Sequence, residues 1–243
     1  MINVENLTKI FGKVKAVDGI SFNVQKGEIF GLLGENGAGK TTTLRMLATM
    51  LKPSAGSVSI CGLDAVKEPE KVRMRIGILF GGETGLYDRL TAAENIAYFG
   101  ELNDIDRTVI NERIKKFSET FGMREFLNRK ASKLSKGMKQ KVAFARCIIH
   151  DPEVMLFDEP TSGLDVGAMR EVHSFIGSCK NNGKTIIFSS HTMSEVEKLC
   201  DRVGIIHKGK LVCTETVEGL KEKYQCQDLE EIFIRLVGAE NAV

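Results

Sequence analysis

Ile20, Phe22 and Val24 alternate with polar neighbours, the period of a half-buried strand, and Lys26-Gly27 then marks a turn. The apolar run Ile29–Leu33 leads straight into glycines, so residues 2–33 read as short strands. Residues 41–51 place Leu44, Leu47 and Leu51 at helical spacing, and Pro53 stops that helix. Residues 58–60 and 76–80 predict further strands. The texture changes over residues 84–150. There Ile110, Ile114, Phe117 and Phe121 recur at three- and four-residue steps, which predicts a helical insertion. Strands return at 154–157, 185–189 and 203–206 with helices between them, the alternation of a parallel sheet. Residues 210–213 predict the return arm of a hairpin. Asp228 opens a last amphipathic helix with Leu229, Ile232, Phe233 and Leu236 on one face. Asp228 and Glu231 have the spacing of a capping box, with Asp in place of Ser or Thr.

Composition narrows the class without naming it. The 243 residues are 42% hydrophobic and 27% charged, ordinary for a globular chain and unlike a disordered or fibrous one. A net charge of +2 does not by itself predict a nucleic-acid partner. Cys61, Cys147, Cys179, Cys200, Cys213 and Cys226 lack the close spacing of zinc or redox motifs, which predicts reduced thiols in a cytosolic chain. The N-terminus lacks signal-peptide order, and no apolar run approaches the ~18–20 residues that span a bilayer. Membrane work would therefore need another chain.

Gly34-Glu35-Asn36-Gly37-Ala38-Gly39-Lys40-Thr41 fits the full phosphate-loop pattern, in the strand-then-helix context that pattern requires. Glycines let the backbone curl so that several N–H groups face one anion, and the helix N-terminus adds partial positive charge. Lys40 can reach the β- and γ-phosphates, Thr41 can ligate Mg²⁺, and Thr42 can bond a phosphate oxygen. Alone, the loop indicates ATP or GTP with Mg²⁺. A second feature is the apolar run 154–157, which ends in Asp158 and Glu159. Two acids at the end of a buried strand are costly unless paired. Asp158 is the candidate metal residue and Glu159 the candidate base for an attacking water. Apolar strands often end in acids for no catalytic reason, so this pair alone decides little.

The third feature settles the class. Leu134-Ser135-Lys136-Gly137-Met138-Lys139-Gln140 precedes a helix and resembles the LSGGQ signature of ABC-type ATPases. Ser162-Gly163-Leu164-Asp165 resembles the family's D-loop, and Ser190-His191 its switch histidine. Four ordered motifs cover nearly the whole chain. The resemblance implies an α/β phosphate-loop NTPase core of ABC type, with an N-terminal antiparallel β-subdomain and an inserted helical subdomain. It divides one ABC ATPase domain into a core (1–83 and 151–213), a helical subdomain (84–150) and a C-terminal helical tail (214–243). It implies ATP and Mg²⁺ as cofactors. Phe11 matches the aromatic that stacks on adenine, although an aromatic there is by default a core residue, and Ala16 matches a small contact to base and sugar. Family members work as head-to-tail dimers, here expected to be homodimers. Ser135 and Gly137, with Asp165, would then complete the site held by a partner's phosphate loop.

Two departures stand out. Lys136 occupies the signature position where glycine is common. The expected metal-ligating glutamine after 76–80 falls on Gly81 or Gly82, neither of which has a ligating side chain. Water or Glu83 would fill that position, unless Glu83 is simply a solvated loop residue.

The overall layout is similar to the ATPase subunits of exporters with separate ABC-2-type membrane permeases, most of all the sodium-extruding NatA group. That implies a cytoplasmic chain, peripheral on the inner face of the cell membrane, without a nucleic-acid partner. The alternatives are a non-transport ABC ATPase acting on the ribosome or DNA, and a soluble assembly ATPase.

Overall fold

The computed structural model describes residues 1–80 and 85–240. Strands β1 (Ile2–Phe11) and β2 (Val14–Val24) form an antiparallel pair, and β3 (Ile29–Leu33) runs into α1 (Lys40–Leu47). Next come β4 (Ala55–Ile60), β5 (Leu63–Asp64), α2 (Pro69–Arg73) and β6 (Ile76–Phe80). Helices α3 (Ala92–Leu102), α4 (Arg107–Thr120) and α5 (Lys136–Ile148) follow, with a 3₁₀ turn at Ala131–Lys133. The last part is β7 (Val154–Asp158), α6 (Val166–Asn181), β8 (Thr185–Ser190), α7 (Met193–Leu199), β9 (Arg202–His207), β10 (Lys210–Thr216), α8 (Val217–Tyr224) and α9 (Leu229–Glu240).

Two sheets result. The first is four-stranded and antiparallel, in the order β2-β1-β4-β5. The second is six-stranded, in the order β10-β9-β3-β8-β7-β6, parallel except for the edge strand β10. Its central strands are apolar on both faces, as a parallel sheet between two layers must be. Side-chain alternation then assigns neighbours to different cores. Ile29 and Leu33 of β3, Met155 and Phe157 of β7, and Ile186 and Phe188 of β8 join α3–α9 in one core. Phe30 and Leu32, Val154 and Leu156, and Ile187 join α1 and the antiparallel sheet in the other. Phe22 stacks on Phe30 at 5.2 Å to fasten the two sheets. Phe144 of α5 packs edge-on against Phe157 and Phe175, fastening the helical segment to the parallel sheet.

The sequence-predicted strands are present, and several are longer than expected. The first helix is shorter. It ends at Leu47 because Thr49 turns into the left-handed region (φ 59), its N–H bonding Met46 O while Met50 N–H reaches back to Arg45 O. This Schellman closure normally uses glycine, and a β-branched residue there is strained. Leu51 therefore lies outside the helix. The Asp228–Glu231 box is also corrected. Asp228 accepts the Glu230 N–H at 2.8 Å, but Glu231 pairs with Arg235 and the Cys226 thiol instead of reaching back. The full capping box is Thr91–Glu94 at the start of α3. The thiols are all free, and burial pushes Cys147 far up and Cys179 up to about 12.

Phe144→Ala would empty a shared aromatic contact at a buried position, at an expected cost of about 3–5 kcal/mol by urea denaturation. Iodoacetamide at pH 8 should leave Cys147 and Cys179 unmodified until the chain is unfolded, as read by peptide mass analysis.

Candidate active site

Strands β3, β8 and β7 lie side by side, and their carboxyl ends open on one edge. Leu33 is opposite Ser190, and Asp158 is opposite Ser189. That edge is where ligands sit in open parallel sheets.

The phosphate loop leaves β3 through Gly34, which is buried so tightly that an added Cβ would lie 2.3 Å from Ile206 O. At its other end Gly39 has φ 113, and an added Cβ would lie 2.6 Å from Ala16 O. Ala38 N–H bonds Glu35 O at 3.1 Å and Gly209 N–H bonds Ala38 O at 2.9 Å, so the loop is tied to itself and to the β9–β10 turn. No side chain caps α1. Its first N–H groups are left for an anion, and its dipole favours one. Lys40 is 4% exposed, and its ammonium donates to Gly34 O at 2.7 Å and Glu35 O at 3.0 Å. Burial lowers the Lys40 pKa, while Glu159 and then Asp158 oppose that shift. Ala16, Asn36, Gly37, Thr41, Thr42 and Glu159 face one cavity of about 130 Å³ over this loop. Glu35, by contrast, is exposed, with His207 Nδ1 3.8 Å from its carboxylate.

Asp158 is buried and accepts the Ser189 hydroxyl at 2.5 Å. Glu159 turns away in the left-handed region (φ 46). Its N–H is held by Ser189 O and Ser189 Oγ, both at 3.1 Å. Its carboxylate lies 3.2 Å from His191 Nδ1 and 3.8 Å from Lys40 Nζ. Among the described residues no group of three or more His, Cys, Asp or Glu could hold a metal. The donors here are the Thr41 hydroxyl and the Asp158 carboxylate, hard oxygens that suit Mg²⁺ completed by phosphate and water. The loop and the two acids thus fit a nucleotide with its cation.

The structure brings together Ala16, residues 34–42, Asp158, Glu159 and His191. It does not bring the signature to them. Ser135 is exposed and caps α5, its hydroxyl accepting Met138 N–H at 3.3 Å, and Gly137 follows in the first turn. Asp165 caps α6 by accepting Ala168 N–H at 2.9 Å. Phe11 stands half exposed at the β1–β2 end with Lys9 Nζ 5.1 Å from its ring centre, outside that cavity wall. The expectations for Gly81, Gly82 and Glu83 lie outside the described residues. Sequence reasoning missed Ser189, which bonds both acids' positions. The signal in the sequence was the hydroxyl pair Ser189-Ser190 directly after the apolar run Ile186-Ile187-Phe188.

The ABC transporter family matches residues 17–162. The chain belongs to that family. This ABC cassette is 52% identical to the ABC transporter ATP-binding protein NatA of Bacillus subtilis (strain 168), over 91% of the chain and 90% of that protein. It is 39% identical to the bacitracin transport ATP-binding protein BcrA of Bacillus licheniformis, over 92% of the chain and 72% of that protein. A solved ATP-binding subunit of an ABC transporter superposes with a TM-score of 0.89 at 26% identity, covering 97% of this chain and 99% of that one. A dimeric ATP-binding cassette in a post-hydrolysis state, bound to ADP and Pi, gives a TM-score of 0.81 at 25% identity, over 89% and 98%. The cassette is an ATP-binding and ATP-hydrolysing subunit of an ABC transporter.

Gly39→Ala combines a forbidden φ with a backbone clash, so it should lower ATP affinity at least about tenfold by fluorescent-nucleotide titration while the chain still folds.

Proposed function

We propose that the chain energises export through a separate ABC-2-type membrane permease, working as a head-to-tail homodimer on the inner face of the cell membrane. The Glu159 carboxylate set between His191 and Lys40, over the phosphate loop, carries the hydrolytic part of this reading. Bound ATP with Mg²⁺ supplies the γ-phosphoryl group that water attacks. Lys40 and the loop N–H groups hold the phosphates. Thr41 and Asp158 would hold the cation, which would offset phosphate charge, and Ser189 orients Asp158. Glu159 takes the proton of the attacking water. His191, as the Nδ1–H tautomer, donates to Glu159 and aims it. Phe11 and Ala16 receive the base and sugar. Ser135 and Gly137, at the exposed start of α5, serve the site of a second subunit, with Asp165 beside them.

The reading as one ABC ATPase domain with core, helical and tail parts goes with this assignment. No described helix is long and apolar enough to cross a membrane, and on this reading the partner permease supplies the membrane path. The sequence resemblance to the sodium-extruding NatA group favours Na⁺ or another small substrate as cargo, with no nucleic acid involved.

Glu159→Gln should bind ATP with parent affinity, turn it over at least about a hundredfold more slowly and run as a dimer with ATP on size exclusion. Parent-rate turnover would remove Glu159 as the base. Lys40→Ala should lose ATP affinity in the same assay, and chelation of Mg²⁺ should stop hydrolysis by the parent chain. Pull-down of a multispan membrane protein, followed by ATP-dependent ²²Na⁺ flux in vesicles of that complex, tests the transport reading. Stable co-purification with ribosomes and no membrane partner would sink it.

A further inference from the structure

Behind the exposed Glu159–His191 contact lies a second, buried contact between the same two loops. Glu195 on α7 is 4% exposed. One of its carboxylate oxygens accepts the Thr161 hydroxyl at 2.5 Å and lies 3.2 Å from His173 Nε2. The other accepts the Ser190 hydroxyl at 2.8 Å. Thr161, His173 and Ser190 are themselves buried. Ser190 Oγ in turn accepts the Thr192 N–H at 2.9 Å, so the turn carrying His191 is held on both sides of the imidazole.

An unpaired carboxylate at this depth would be costly, and three donors from three elements remove that cost. The placement of the donors is informative. Thr161 follows Glu159 by two residues and begins the 162–165 turn that ends in the α6 cap Asp165. Ser190 directly precedes His191. His173 comes from the middle of α6, the helix that this turn opens. A single carboxylate therefore ties the segment after the base, the segment before the switch histidine and the helix after the 162–165 turn.

We infer that Glu195 is a positioning residue that holds the Glu159 loop and the His191 loop as one unit, rather than a contributor to packing alone. This inference rests on the hydrolytic reading of Glu159 and His191. None of the groups it binds belongs to the phosphate loop. Loosening it displaces base and imidazole relative to each other and leaves the phosphate cradle untouched. The loss falls on kcat and spares nucleotide affinity.

Full-length Thr161→Val and Ser190→Ala chains test it, each removing one hydroxyl and leaving the carboxylate in place. Each should lower kcat for ATP hydrolysis about tenfold or more, the scale of a small misplacement of reacting groups. Nucleotide Kd should stay within about twofold of the parent, the signature of an interaction expressed only in the chemical step. The ¹⁵N resonance of His191 Nδ1 should move in both variants. Thr161→Ser should restore turnover. The double variant should fall little further than the worse single one, because both act through one carboxylate. Parent kcat in both singles with an unmoved His191 resonance overturns the inference. So does a parallel loss of kcat and affinity, which general loosening of the fold produces. Lys40→Ala and Glu159→Gln run alongside: parent turnover there breaks the reading of the site itself, which separates that failure from failure of the Glu195 inference.

Discussion

An acid at the end of an apolar strand survives burial only when a neighbour supplies a donor. In this chain the neighbour is Ser189, directly across the β7–β8 ladder from Asp158, with its hydroxyl on the Asp158 carboxylate. The same serine receives the Glu159 N–H through both its carbonyl and its hydroxyl. One residue on β8 therefore sets Asp158, Glu159 and, through the next two positions, the His191 imidazole. Because β8 also pairs with β3, the distance from these groups to the phosphate loop is set by strand spacing rather than by loop conformation.

That arrangement needs a sheet which cannot slide, and the two cores supply it. A one-residue slip of β3, β7 or β8 would exchange the residues facing the helical layer with those facing α1 and the antiparallel sheet. Phe157 and Phe188 would then enter a layer built around Leu44, Leu47 and Phe30. Both faces thus specify the register that brings Asp158 opposite Ser189.

The parts legible in sequence were those with strong local grammar. The phosphate loop combines glycine spacing, a lysine and a strand-to-helix switch within eight residues, and the structure places it accordingly. The helical segment and the alternating second half were readable from period alone. What escaped depends on contacts distant in sequence or on unusual backbone. Thr49 ends α1 in a conformation that its side chain disfavours. Glu231 had the spacing of a cap, but Arg235 at the next turn and the Cys226 thiol took its carboxylate. Ser189 and Asp158 are thirty-one positions apart, and nothing in either neighbourhood marks them as partners. The signature was recognised from its resemblance. That Lys136 lies over Gly163, where an added Cβ would sit 2.0 Å from its ammonium, follows only from the folded arrangement of α5 and the 162–165 turn.

Glu159 holds its position against its own backbone preference. Outside glycine and asparagine, a left-handed residue costs roughly 1–2 kcal/mol, and Glu159 at φ 46 carries that cost. Replacement by glycine or asparagine would relax the turn but remove a carboxylate that offsets the burial of Lys40. A glutamate at this turn is thus a sprung side chain, pinned by the Ser189 clamp on its N–H and aimed at His191 and Lys40 against its local backbone preference.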